Sequence, residues 1–189
     1  SSGTIDGFGS VFVNGVEFET GGAEIVVNGM SVGEEALGLG MLVLVTGSID
    51  ENGTTGTASR IVFDDDLQGP VEAILPAADG DSMLITVLDI EVIVERTATV
   101  FEGVTFAGLA VGDLVEVSGF TDIQGRLRAT RIERKDKFVA SVSEIGLKGV
   151  VSDLAGSAFT LGGYTVDYSG ADLSEVPGGV LADGMQVEV

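Results

Sequence analysis

The side chains of this chain that could act on another molecule are its carboxylates and one cluster of cations. Asp64, Asp65 and Asp66 stand together, and Asp50-Glu51-Asn52-Gly53 and Asp79-Gly80-Asp81-Ser82 form acidic turns. Such groups offer the oxygen ligands that Ca²⁺ takes. The full acidic calcium loop with its central glycine is absent, however. The turns therefore read first as solvated connections and a linker, with Ca²⁺ as the one cofactor they suggest. Glu17 with Glu19, and Glu91 with Glu95, share strand faces by parity, and paired carboxylates flank the scissile bond in glycoside hydrolysis. With 30 acids against 9 bases, such pairs arise from composition alone and read as an outward polar face. Histidine and cysteine are absent, so the usual general base, the thiolate nucleophile and the commonest metal ligand are all missing. Gly7-Phe8-Gly9 leads into a strand, where a phosphate cradle would need a following helix. No catalytic, cofactor or metal residue is assigned, and the chain is read as a non-enzyme.

The cations are unevenly placed. Six of the nine fall in one hairpin: Arg126, Arg128, Arg131, Arg134, Lys135 and Lys137. Strict alternation puts Arg126, Arg128 and Arg134 on one face. Two readings compete: neutralisation by neighbouring acids, or contact with another acidic surface such as a second copy of the protein. The net charge of −21 repels phosphate backbones and anionic lipid, which excludes general nucleic-acid and membrane-surface binding. No run of 18 apolar residues offers a membrane-spanning helix. Phe8, Phe12, Phe18 and Tyr164 are candidates for stacking on sugars, although strand parity sends most of them inward. Leu42 and Leu44 form an outward apolar pair where the later repeats carry Leu114 and Glu116, then Gln186 and Glu188. Such a pair marks an interface between repeats or between chains.

The elements that must position these residues recur. "LGLGMLVLVTG" at 37–47 returns as "LAVGDLVEVSG" at 109–119 and as "LADGMQVEV" at 181–189. Gly40, Gly112 and Gly184 are 72 residues apart, and Gly47 with Gly119 and Gly53 with Gly125 keep that spacing. "ASRI" at 58–61 returns as "ATRI" at 129–132. A period of this length suits a small domain rather than a solenoid coil. The boundaries are drawn at 3–66, 67–137 and 146–189. Within the first copy, strands are expected at 4–8, 11–19 with an Asn14-Gly15 turn, 24–27, 41–49 and 55–63, with one short turn in "SVGEEAL". Short strands punctuated by glycine, with no convincing helix, give an all-β class and a small barrel per copy.

"GFGSVFVNGVEFET" followed by "LGLGMLVLVTG" and "ENGTTGTASRIVFDD" resembles a bacterial domain family of unknown function, found in tandem in exported and often lipid-anchored proteins. The resemblance is close in the first copy, good in the second half of the second and weak at the start of the third. It implies an oligonucleotide/oligosaccharide-binding-like barrel and export from a bacterial cell, and it carries over no catalytic residue. The opening "SSGT" reads as a trimmed linker or mature N-terminus. The second copy departs at "PVEAILPAADGDS", which predicts a longer first loop.

Taken together, these features lead to an expected non-enzymatic structural or interaction protein of the bacterial surface, with a glycan- or cation-binding module as the alternative. The third copy stops at "MQVEV", so the repeat predicts a continuation equivalent to Thr46–Phe63. Failing that, a strand from a neighbouring chain would pair beside Val187 and Val189 and join subunits head to tail into a filament.

Overall fold

Asn-Gly pairs shape the start of the chain. Asn14 and Gly15 have φ of 54° and 75°, and Asn28 and Gly29 have 48° and 75°. Positive φ at both positions gives the two-residue turn whose twist matches that of paired strands. The computed structural model describes residues 1–7, 10–174 and 176–189. Phe8 and Gly9, and with them the readings placed on those two residues, lie outside the described residues. The first strands are β1 (Ser2–Gly7), β2 (Val11–Val13), β3 (Val16–Glu19), β4 (Glu24–Val27), β5 (Met30–Val32), β6 (Leu42–Ile49) and β7 (Thr55–Phe63). β5 was not expected; Asn28-Gly29 folds it back on β4. Glu34–Ala36 forms one 3₁₀ turn. β1 pairs with β2 and β6, β2 with β3 and β6 with β7, all antiparallel, while β3 runs parallel to β7 and closes the cycle. Ile5, Val11, Val13, Phe18, Val43, Val45 and Ile61 fill this first ring.

The second ring repeats that order with β8 (Leu67–Pro76), β9 (Ser82–Val87), β10 (Ile90–Glu95), β11 (Val100–Glu102), β12 (Asp113–Thr121) and β13 (Leu127–Lys137). β8, β9, β10, β13 and β12 form a closed five-stranded barrel, with β10 parallel to β13. Val115 and Val117 point into its core as Val43 and Val45 do in the first. The residues "PVEAILPAADGDS" lengthen the β8–β9 hairpin as well as its turn. The β9–β10 turn, Leu88-Asp89, holds positive φ without glycine (48° and 55°). Leu88 lies across Gly69, where a Cβ would come within 2.7 Å of it. Two repeat positions have a plain physical cause. Gly40, Gly112 and Gly184 all adopt positive φ. A Cβ on Gly47 or Gly119 would sit 2.1 Å from the facing carbonyl oxygen of Thr57 or Arg128.

The last strands are β14 (Gly146–Val150), β15 (Ser152–Ala155), β16 (Ala158–Leu161), β17 (Tyr164–Asp167) and β18 (Gln186–Glu188). β14 pairs antiparallel with both β8 and β18, and β15–β16–β17 form a separate three-stranded sheet. Leu147, Val151, Phe159, Leu161 and Leu181 join the core of the second ring, so this part does not bury its apolar residues alone. No α-helix occurs among the described residues.

Candidate interaction surfaces

The basic strand is β13, and two bulges govern where its side chains go. Ser118 faces Arg131 but Gly119 faces Ala129, leaving Thr130 as an extra residue; Leu114 faces Asp136 but Val115 faces Arg134, leaving Lys135 extra. A bulge shifts the alternation by one. Arg126 and Arg128 therefore point outward. Arg134, opposite core residue Val115 and in phase with buried Ile132, emerges at the barrel rim instead. The face shared by Arg126, Arg128 and Arg134 that strict alternation predicted is not formed.

Five of the six cations have acidic partners. Arg126 reaches Asp122 at 2.9 Å and Arg128 reaches Glu95 at 3.0 Å. Lys135 lies 3.0 Å from Glu116 and 2.9 Å from Glu133, and Lys137 pairs with Asp113. Burial disfavours the Lys135 charge, but the hydrogen bonds and charges of Glu133 and Glu116 outweigh it and raise its pKa. Among the described residues Arg134 forms no ion pair. Arg131 is not on the surface at all: its side chain is 7% exposed and meets Glu102 and, at 3.5 Å, Glu133. Burial lowers its pKa despite the neighbouring acids.

Arg131 is buried because the first ring sits on it. Its Nη1 donates to the Leu39 carbonyl at 2.9 Å, and Thr130 Oγ1 donates to the Gly40 carbonyl at 2.7 Å. A Cβ on Gly38 would lie 2.9 Å from the guanidinium, and one on Gly40 would lie 3.0 Å from Val100. The matching turns later in the chain carry Ala110 and Ala182 in place of Gly38. Arg60 holds the Arg131 position in the first ring, opposite Glu24 rather than Val100, and is half exposed with Glu24 at 3.6 Å. Gly38 leaves room for the Arg131 guanidinium, and Val100 packs against the turn at Gly40.

The aspartate run bridges the same rings, each carboxylate with its own partners. Asp64 lies 3.8 Å from Lys148. Asp65 accepts from Asn28 Nδ2 at 2.8 Å, and its backbone N–H donates to Asn28 Oδ1 at 3.0 Å. Asp66 accepts from the Gly119 N–H at 2.9 Å. Among the described residues no three acidic side chains are grouped to hold a metal ion. The acidic turns are spent on local bonds: Asn52 Oδ1 accepts from the Thr54 and Thr55 N–H groups, and Asp79 Oδ1 accepts from the Asp81 N–H. Glu17 accepts from Ser10 Oγ, and Glu95 is held by Arg128. Phe18 is buried, Phe12 is half-buried, and Tyr164 donates its hydroxyl to Asp89 at 3.2 Å. Burial, then the Asp89 carboxylate, pushes the Tyr164 hydroxyl up to about 12.

Leu42 is half-buried and Leu44 is 53% exposed. The expected strand edge at Val187 and Val189 is placed differently. Leu147 and Val189 exchange both backbone bonds, at 2.9 and 3.0 Å. Alternation then turns Val187 to β14 as well, so Gln186 and Glu188 present their backbone N–H and C=O groups on the open side. The sequence could not separate these two sets without the β14 register. Among the described residues β17 likewise pairs only with β16. A cavity of about 600 Å³ lies against β18, lined by Val176, Met185 and Val187 among others. Another, of about 500 Å³, is bordered by Asp89, Glu91, Gln124, Arg126 and Lys148.

Residues 68–133 match the family described as "Domain of unknown function (DUF5666)". The match runs from β8 into β13 and so takes in the closed barrel. No curated protein and no solved structure matches the chain.

Proposed function

We propose that this chain is a non-enzymatic, exported structural or interaction protein of the bacterial surface, built as tandem oligonucleotide/oligosaccharide-binding-like units, the third of which presents open strand edges to which a further strand adds, supplied by a continuation of the chain or by a second copy. The observation that carries this reading is the pair of open edges at β17 and β18. In both rings, a fifth strand runs parallel to the third strand and antiparallel to the fourth. β17 and β18 follow the third and fourth positions, and among the described residues each has one unpaired side. Unpaired backbone groups recruit an added strand. If a second copy supplies it, subunits join head to tail into a filament. Export fits the cysteine-free composition and the family resemblance. Arg134, with no acidic partner among the described residues, is the cation best placed to meet an acidic neighbouring subunit.

The test uses Gln186→Pro and Glu188→Pro, which remove N–H groups on the open side while leaving the β14 ladder intact. Sedimentation and electron microscopy should show assemblies of the parent protein that both variants lose. A parent that stays monodisperse at every concentration, or variants that assemble equally well, would overturn strand addition by a second copy.

The 500 Å³ groove favours a second reading, a glycan-binding module, because Asp89, Glu91, Gln124 and Arg126 offer the hydrogen-bonding groups that sugar hydroxyls need. Binding on a glycan array that Gln124→Ala and Glu91→Ala abolish would support it. A blank array would exclude the glycans tested.

A further inference from the structure

We propose that the segment joining the two rings is a pH-responsive joint, which tightens when Asp65 and Glu116 share a proton and loosens when both are charged. The joint has two contacts of different chemistry. One is the docking of Leu39 and Gly40 on Thr130 and Arg131, whose groups do not titrate near neutrality. The other is centred on Asp65.

Asp65 lies between the end of β7 and the start of β8 and is only 8% exposed. From the first ring, Asn28 in the β4–β5 turn holds it by two hydrogen bonds. From the second ring it faces Glu116 on β12, whose side chain is 12% exposed and pairs with Lys135 on β13, a cation that Glu133 shares. Glu144 and Glu188 line the same cavity of about 530 Å³ from the segment before β14 and from β18. The flanking Asp64 faces Lys148, and Asp66 is held by the Gly119 N–H. Within this cavity, carboxylates outnumber the single cation Lys135, and the charge of Arg131 in the docking contact also acts on Asp65.

Burial first, and the Glu116 charge second, push the Asp65 carboxyl from 3.8 up to about 7; Asn28 and Lys135 oppose them. A protonated Asp65 donates to Glu116 and ties the linker to β12. A charged Asp65 places two carboxylates together in a poorly solvated space. The sign follows from the raised value. The closed joint binds a proton that the open, solvated joint releases between pH 3.8 and about 7. Closure is therefore favoured fully below that window and loses the contribution above it. Across the window the closed-to-open ratio changes by on the order of a thousandfold.

The chain has no cysteine, so Glu51→Cys and Asp79→Cys place one spin label on each ring cleanly. Both positions are exposed. Electron–electron distance distributions are compared at pH 5 and pH 8.5, in the otherwise unaltered chain and with Gly38→Ala, which weakens the pH-independent contact and brings opening into range. The expected result is a narrow distribution at pH 5 and a broad or longer one at pH 8.5. Asp65→Asn should keep it narrow at both, whereas Glu116→Gln should shrink the pH response without abolishing it, because the burial of Asp65 remains. Identical distributions at the two pH values in both backgrounds, a pH effect that survives Asp65→Asn, or one that Glu116→Gln leaves undiminished, would overturn the proposal.

Discussion

Arg60 and Arg131 occupy the same place in their rings, and replacing each with methionine should cost very different amounts. Each follows a bulge residue and faces the fourth strand, at Thr46 and Ser118 respectively. Arg60 is 51% exposed beside a Glu24 that is 54% exposed, so its ion pair is screened and worth about 0.5 kcal/mol or less. Arg131 is 7% exposed, donates to the Leu39 carbonyl, and is shared by Glu102 and Glu133. A hydrogen bond from a charged donor contributes roughly 1.5–3 kcal/mol. Glu102 is 57% exposed, so its share is discounted, and relief of Arg131's own burial offsets part of the loss. The expected net cost of Arg131→Met is about 3 kcal/mol. For a chain of this size that lowers Tm by about 6–12 °C, against about 1–2 °C for Arg60→Met. Calorimetry is the assay, because loss of the contact should also split one transition into two as the rings uncouple. Equal costs at the two positions would refute the claim that burial between rings, rather than the repeat position itself, gives Arg131 its weight.

Asp65→Asn should stabilise the protein by up to about 4 kcal/mol at pH 8, a gain that shrinks by about 1.4 kcal/mol per pH unit below 7 and vanishes near pH 4; melts across pH measure it. Gly119→Ala and Gly47→Ala should each cost about 3 kcal/mol or more in denaturant titrations, since the new methyl would lie 2.1 Å from a facing carbonyl. Gly125→Ala, at φ 81° in open space, should cost only about 1 kcal/mol. Charge reversal at Arg134 should weaken any self-association at low salt more than reversal at Arg126 or Arg128, which already have acidic partners; sedimentation at two ionic strengths reads the difference.

Several features were legible in the residues because they depend on local physics. Asn-Gly turns need positive φ at two successive positions, and few other pairs supply it. Alternation placed Val43, Val45, Val115 and Val117 inside, because a strand buried on one face must alternate. The 72-residue spacing of Gly40, Gly112 and Gly184 marked a recurring backbone conformation. Leu88-Asp89 hid its turn, because no glycine announces it and the strain is carried by packing against Gly69. Tertiary structure alone decided the rest. The bulges at Thr130 and Lys135 break the alternation, since they exist only in the pairing of β12 with β13. Arg131 reads in the sequence as one more cation of a basic strand, and becomes a buried pin only when Gly38 leaves room for its guanidinium. Asp65 reads as one acid among 30; its distinction comes from Asn28 on one side and Glu116 on the other, residues brought beside it by the closing of two separate rings. A strand's own residues set its turns and its alternation, whereas burial and electrostatics depend on what lies across the gap, and only the folded chain supplies that neighbour.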